Sequence, residues 1–222
     1  MINIIDMQTK QTIAIIGATG NIGSAISKSL SKGEYRLLLQ ATEEEQIQLL
    51  VDDIKANNPS VDVECMNCAV NACWEAEIII STVPDEEETD VAERIREVAN
   101  QKIVISVGST LKQPSDSLHD SAKLSAAEEF QQLLPNSKVV KTFNIVFAPD
   151  FSTQVNDFKL EDVFIAGNDV AALQTVNELI IYAGLNPIIA GELSMSRKLE
   201  NTLIPDMQYS YSWQNGWMLS KN

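Results

Sequence analysis

The sequence is poor in the residues that cross-link small secreted proteins and in those that bind transition metals. Among 222 residues there are 3 cysteines and 1 histidine. Cys65 and Cys68 form a CxxC pair with Cys73 nearby, but a zinc site needs four ligands and His119 is the only other soft candidate. A redox pair needs its first cysteine at a helix start, whereas Cys65 ends a strand pattern. We therefore expect small buried cysteines beside a loop, and His119 in a surface loop.

Long apolar runs and positive charge are also scarce. No apolar stretch reaches the roughly 18 residues of a membrane span, and the first residues lack the basic patch and apolar run of a signal peptide. There are 16 Lys and Arg against 31 Asp and Glu, a formal net charge of -15. Because that charge repels nucleic-acid phosphates and anionic lipids, we expect a cytoplasmic protein that binds neither nucleic acid nor membrane.

The sequence does contain a regular alternation of strand-length apolar runs and helical patterns. Strands are predicted at 12–16, 35–40, 61–65, 77–83, 102–107, 138–143 and 162–166, with a short apolar stretch at 187–190. Helices are predicted at 21–31, from a capping box of Thr42 and Glu45 to 57, from Pro84 onward, and at 121–134, 170–183 and from about 194.

This order predicts an α/β protein of the Rossmann type, with a doubly wound, mainly parallel sheet and helices on both faces. No linker rich in Pro, Gly or Ser divides the chain. We therefore expect a single dinucleotide-binding domain over residues 1–222. Its core would cover about 11–150, and edge strands with a carboxyl-terminal helix would cover about 151–222.

A glycine turn, GATGNIG at residues 17–23, joins the first predicted strand to the first helix. At this position Gly20 allows the backbone to approach a pyrophosphate, and Gly23 allows the helix to pack closely on the strand. The free amides of the first helical turn bind the phosphates. The alternative is a tight turn that binds no ligand.

The end of the second strand normally contacts the adenosine ribose, through an acid in NAD proteins or an Arg in NADP proteins. Here Gln40, Ala41 and Thr42 are followed by the acids Glu43 to Glu45, and there is no Lys or Arg from 37 to 54. These residues favour NAD over NADP, unless Arg36 or a distant cation reaches the site.

Two Rossmann families carry a turn of this kind. Catalytic members of the atypical short-chain dehydrogenases use a Tyr-x-x-x-Lys pair, and no tyrosine of this chain is followed by such a lysine. A second family matches at several further segments: STVP at 81–84, ISVGSTL at 105–111, VKTFN at 140–144, DVFIAGND at 162–169, and GEL at 191–193 followed by Arg197, Leu199 and Glu200. On these motifs the chain resembles the NADP-dependent reductases of the deazaflavin coenzyme, compact relatives of the pyrroline-5-carboxylate reductase nucleotide-binding domain.

The resemblance implies an oxidoreductase that binds NADP and transfers hydride to or from a flavin-like or other small acceptor. It places the segment 81–84 beside the nicotinamide ribose, Gly108 and Ser109 at the nicotinamide, and Asn144 near the hydride-transfer face. The chain departs from the family in having only Thr42 for a 2'-phosphate and Gly108 to Leu111 in place of Asn-Pro. The candidate cofactor-binding residues are Gly17, Ala18, Thr19, Gly20, Asn21, Ile22, Gly23, Gln40, Thr42, Ser81, Thr82, Val83, Pro84, Gly108, Ser109 and Asn144.

Hydride transfer between two rings depends mainly on positioning, so no acid or base is obligatory, and we assign no catalytic residue from the sequence. The alternative is a catalytically silent NAD(P)-sensing protein that keeps the nucleotide-binding turn.

We interpret the acidic run from Asp85 to Glu88, with Asp90, as a solvated helix start. Tyr209, Tyr211, Trp213 and Trp217 either wall a planar pocket or lie in a homodimer interface, and we favour the interface.

Overall fold

The computed structural model describes residues 10–108, 124–143 and 162–201. Its strands are β1 Gln11–Ile16, β2 Tyr35–Gln40, β3 Asp62–Met66, β4 Ile78–Ser81, β5 Ile103–Ser106, β6 Lys138–Lys141, β7 Asp162–Gly167 and β8 Asn186–Gly191. Its α-helices are α1 Asn21–Leu30, α2 Glu44–Asn57, α3 Ala69–Glu75, α4 Asp85–Ile95, α5 Ala126–Leu133, α6 Val170–Tyr182 and α7 Ser196–Asn201. A 3-10 helix, Leu193–Met195, precedes α7.

The strands form one 8-stranded sheet in the order β3-β2-β1-β4-β5-β6-β7-β8. All neighbouring pairs are parallel except β6 and β7, which are antiparallel. The chain first builds outward from β1 to β2 and β3 and then crosses to β4 on the other side. This arrangement confirms the predicted doubly wound, mainly parallel sheet, and it places a crevice between β1 and β4 at the carboxyl ends of the strands.

Alternate residues of the central strands face two separate apolar layers. On one face, residues such as Ile13, Ile80 and Ile105 pack with α1, α2 and α6. On the other, residues such as Ala14 and Ile79 pack with α3, α4 and α5. The central strands are buried on both sides, which explains why they read as unbroken apolar runs rather than as alternating patterns.

Two predicted helix starts differ from the structure. The capping box of Thr42 and Glu45 is wrong, because α2 begins at Glu44 after Glu43, which makes no side-chain capping bond. A capping box is present at α5, where Ser125 and Glu128 exchange hydrogen bonds. That helix was predicted to start at residue 121, and this start is wrong, because residues 124 and 125 are not helical and Ser125 is the N-cap. Helix α3 was not predicted, since its seven residues are too few to show a helical period.

The cysteines do not share one environment. Cys73 in α3 is buried, as expected, and burial raises the pKa of its thiol to about 12. Cys68 is exposed and Cys65 is half-buried, so the expectation of buried cysteines is wrong for these two. Across the described residues no cluster of His, Cys, Asp and Glu could hold a metal ion. His119 lies outside those residues.

In the described ranges no helix is long and apolar enough to cross a membrane. The single-domain organisation over residues 1–222 and the homodimer stay predictions. The aromatic residues on which the homodimer rested, Tyr209, Tyr211, Trp213 and Trp217, lie outside the described residues.

Helix α1 approaches the turn before it so closely that no side chain fits at Gly23. A Cβ atom there would lie 2.4 Å from the carbonyl oxygen of Gly17 and 2.7 Å from Oγ1 of Thr82. Contacts this short force backbone to move. Gly23 is therefore required by packing, as the sequence predicted.

We predict that Gly23→Ala destabilises the protein by about 1–3 kcal/mol, the usual cost of forcing an extra methyl into a packed site. Alanine favours a helix by about 1 kcal/mol over glycine, but the clash with the Gly17 carbonyl outweighs this gain. Urea unfolding measures the difference, with Gly20→Ser as the control, which should stay within about 0.5 kcal/mol of wild type because Gly20 is the N-cap of α1 and serine suits that position. Equal stabilities for the two variants would contradict the packing described above.

Candidate functional site

The turn between β1 and α1 is held by its two neighbouring strands. The amides of Gly17 and Ala18 donate to the carbonyl of Gln40 at the end of β2, over 2.9 and 3.0 Å. On the other side, the hydroxyl of Thr82 donates to the carbonyls of Ile16 and Gly17, over 2.8 and 3.0 Å. Gly17 itself has φ +81, a conformation that favours glycine. The turn is therefore a rigid feature, fixed from both sides.

Gly20, at the tip of this turn, is a glycine that the fold does not need. Its φ is -63, ordinary for any residue, and a Cβ there would meet only the Gly17 carbonyl, at 3.4 Å. Gly20 is the N-cap of α1 and no side chain caps that helix. The missing side chain leaves space directly over the uncapped amides of α1, where an anionic group such as a pyrophosphate fits.

The carboxyl ends of five parallel strands lie side by side at this edge of the sheet. Ile16 pairs with Gln40 on one side and with Ser81 on the other, Ser81 pairs with Ser106, and Ser106 pairs with Lys141. The strand order reverses between β2 and β4, on either side of β1. A dinucleotide whose pyrophosphate lies at α1 would therefore extend over β2 in one direction and over β4 and β5 in the other.

The structure brings most of the predicted site residues to this edge. The turn residues Gly17, Ala18, Thr19, Gly20, Asn21, Ile22 and Gly23 lie together, flanked by Gln40, by Ser81, Thr82, Val83 and Pro84, and by Gly108. Thr82 supports the turn through its hydroxyl, Val83 is buried, and Pro84 is the N-cap of α4. Ser109 and Asn144 lie outside the described residues, and their roles stay predictions.

The region after β2 offers no positive side chain in the described structure. Thr42 and the acids Glu43 to Glu45 are exposed there. Arg36 lies near the opposite end of β2 and pairs with Glu64 over 2.9 Å and with Glu75 over 2.8 Å. These hydrogen bonds, the one to Glu64 first, raise the pKa of the Arg36 guanidinium. Arg36 is therefore committed elsewhere and does not serve a 2'-phosphate.

Several buried polar residues at the same edge were not identified from the sequence as part of the site. The reading of the acidic run as solvated is wrong for Glu88, which is buried and accepts a hydrogen bond from the Ser106 hydroxyl, over 3.2 Å. Lys141 in β6 is fully buried beside Glu200 of α7. The hydroxyl oxygen of Thr142 is buried without a hydrogen-bond partner among the described residues, as is that of Ser81, which the sequence did assign to the site. The only signal in the sequence was a lysine at the end of an apolar strand.

Comparison with known proteins now separates the possible families. Residues 12–110, which contain β1 to β5 and the glycine turn, match the model of the family described as NADP oxidoreductase, coenzyme F420-dependent. Over these residues the chain is similar to this family. The matched residues include the glycine turn at 17–23 and the two strands on either side of β1, which are β2 and β4.

A relative and two solved structures extend the likeness beyond these residues. The F420-dependent NADP reductase of Methanocaldococcus jannaschii is 27% identical over 85% of this chain and 87% of its own length. A hypothetical protein from Sinorhizobium meliloti superposes with a TM-score of 0.72 at 25% identity, over 87% of this chain and 91% of the other. Pyrroline carboxylate reductase from Plasmodium falciparum, with NADP bound, has a TM-score of 0.56 at 13% identity, over 80% of this chain and 57% of the other, and shows the shared fold.

These findings confirm the predicted family resemblance, the Rossmann-type fold and an NADP-dependent oxidoreductase domain. The cofactor in the description of the matched family is NADP, as the resemblance implied. The acids after β2 had instead favoured NAD.

We predict that Gly20→Val abolishes dinucleotide binding without unfolding the protein. The valine side chain would fill the space over the α1 amides, while the extended backbone at this position accepts it. NADPH titration should show an affinity at least about tenfold weaker, or 1.4 kcal/mol, while urea unfolding should show a loss of stability of no more than about 1 kcal/mol, since valine is a poorer N-cap residue than glycine. Unchanged affinity for NADPH would contradict the binding of the pyrophosphate at this turn.

Proposed function

We propose that the protein transfers hydride between NADP, bound on the turn of residues 17–23, and a small flavin-like acceptor. The observation that carries this proposal is the open space at Gly20, a glycine that the packing of the chain does not require. The amides of Asn21, Ile22 and Gly23 would then hold the pyrophosphate, and the α1 amino terminus supplies a local positive potential at this point of a protein whose net charge is -15.

The strand order supports an assignment of the two ends of the dinucleotide. The adenosine ribose would lie at Gln40 and Thr42, and the nicotinamide would extend past Ser81 to Pro84 toward Gly108. When bound, the nicotinamide supplies or accepts the hydride. The role of the chain is to fix the position of the ring, to exclude water with the apolar Val83, and to leave one ring face open to the acceptor.

The side chains of this edge favour an acceptor that needs no proton donor from the protein. The buried titratable groups among its described residues, Glu88, Lys141 and Glu200, are 5%, 0% and 2% exposed and all are hydrogen-bonded. Reduction of a ketone or an imine requires a positioned acid, whereas ring-to-ring hydride transfer requires mainly alignment. The name of the Methanocaldococcus relative, an F420-dependent NADP reductase, points to the same class of acceptor.

Turnover with a set of acceptors tests this proposal. Purified protein is titrated with NADPH by fluorescence and then mixed with a deazaflavin, FMN, an imine or a ferric chelate, while NADPH oxidation is followed by absorbance. We expect saturable binding and the fastest oxidation with the deazaflavin or FMN. A dissociation constant above about 1 mM, corresponding to only about 4 kcal/mol, would refute nucleotide binding. Turnover with the imine alone would refute the flavin-like acceptor.

The 2'-phosphate of NADP finds only neutral partners after β2. These are the Thr42 hydroxyl and the first amides of α2, which no side chain caps. The exposed acids Glu43 to Glu45 oppose a phosphate at the same place. The affinities for NADPH and NADH should consequently differ less than in a reductase with an Arg at this position.

We predict that Glu43→Arg raises the affinity for NADPH about fivefold, or ~1 kcal/mol, because a repulsive charge is replaced by an attractive one at the surface. The affinity for NADH should not change. Glu97→Arg, an exposed site after α4 toward the opposite edge of the sheet, is the control for net charge. An equal gain for NADH, or an equal gain from the control, would contradict the assignment of the adenosine end.

A further inference from the structure

Lys141 is a fully buried ammonium group at the carboxyl end of β6. Its side chain is 0% exposed, and it continues a row of polar residues, Ser81 and Ser106, on three adjacent strands. Two residues earlier, the same strands place Ile79, Val104 and Val139 against the apolar layer of α3, α4 and α5. The polar row therefore begins where the sheet meets the crevice.

The ammonium of Lys141 bridges two parts of the structure. It donates a hydrogen bond to the carbonyl of Gly108, just past the end of β5. It also lies 3.3 Å from Oε1 of Glu200, whose side chain is 1% exposed. The Glu200 carboxylate in turn accepts from the amides of Ala126 and Ala127 in the first turn of α5, over 2.9 and 3.3 Å. The lysine is thus anchored through Glu200 and bound at its other side to Gly108.

An ion pair buried this deeply is weak support for the fold. Two apolar side chains of similar size usually stabilise a core at least as well as a buried pair. Helices α5 and α7 are joined by a different ion pair, Arg197 with Glu128, over 2.6 Å. The Lys141 pair adds a hydrogen bond from the ammonium to the Gly108 carbonyl. This bond fixes the orientation of the backbone at the edge over which the nicotinamide would extend.

We propose that Lys141, held by Glu200, is a positioning residue for the nicotinamide end of the dinucleotide. This inference rests on the proposed function, because the crevice at β5 must be the nicotinamide side. Lys141 acts through Gly108: with its ammonium in place the backbone after β5 has one orientation, and the ring packs against a fixed surface. Without it, the ring loses that surface while the adenosine end keeps its own contacts.

The test uses a double variant, Lys141→Met with Glu200→Gln, which removes both charges and leaves no unpaired ion in the core. The control is Arg197→Met with Glu128→Gln, which neutralises the ion pair between α7 and α5 and leaves Lys141 and Glu200 in place. Each protein is titrated by calorimetry with NADPH and with ADP-ribose 2'-phosphate, the same molecule without nicotinamide. Thermal unfolding checks that each variant is folded.

We expect the Lys141 and Glu200 double variant to bind NADPH at least tenfold more weakly and to bind ADP-ribose 2'-phosphate as wild type does. The fluorescence of its bound NADPH should shift toward that of free NADPH. The control should bind both ligands normally. An equal loss for both ligands, or no loss for either, overturns the inference and leaves Lys141 a purely structural residue. A wild-type protein that binds neither ligand overturns the proposed function and this inference with it.

Discussion

The absence of a side chain at Gly23 is the constraint on which the rest of the site depends. Because α1 lies against the Gly17 carbonyl and the Thr82 hydroxyl, the helix begins directly over the carboxyl end of β1. The uncapped amides at the start of α1 therefore lie at the crevice between β1 and β4. One close approach fixes the direction of the helix, the position of its amino terminus and the shape of the turn.

The same edge of the sheet shows how a strongly acidic protein can bind an anion. The net charge of -15 opposes a polyphosphate at long range, but salt screens exposed charges beyond about 8–10 Å. Backbone amides at hydrogen-bond distance attract a phosphate well within that screening distance, although they carry no net charge. The acids Glu43 to Glu45 lie where only the adenosine end would meet them, so the net charge bears on the choice of nucleotide more than on binding itself.

The sheet was predictable because its strands are buried on both faces. The bounds of β2 were predicted correctly, and Ile78–Ser81 lies within the predicted fourth strand, since long apolar runs between turn residues leave few alternatives. The short helix α3 and the start of α2 were not predictable in the same way. Thr42 and Glu45 have the spacing of a capping box, yet the packing of Ile47 and Leu50 starts the helix one residue later than that box allows.

The glycine turn was predictable because it has a local sequence signature, whereas the buried charges have none. In the sequence Glu88 looks like one more acid in an exposed run. Only the packing of α4 near β5 shows that its carboxylate accepts a hydrogen bond from the Ser106 hydroxyl. Lys141 and Glu200 are fifty-nine positions apart in the sequence and come together only when α7 packs on α5. Long-range pairs of this kind are set by tertiary structure, so no local pattern indicates them.

Hydrogen–deuterium exchange in the presence of NADPH tests the central claim most directly. If the dinucleotide lies on the glycine turn, the amides of residues 19–23 should exchange more slowly when NADPH is added, because the pyrophosphate accepts their hydrogen bonds. Residues 81–84 and Gly108 should also be protected, while β8 at the far edge of the sheet should be unchanged. Protection confined to other parts of the chain, with the turn exchanging as in the free protein, would contradict the assignment.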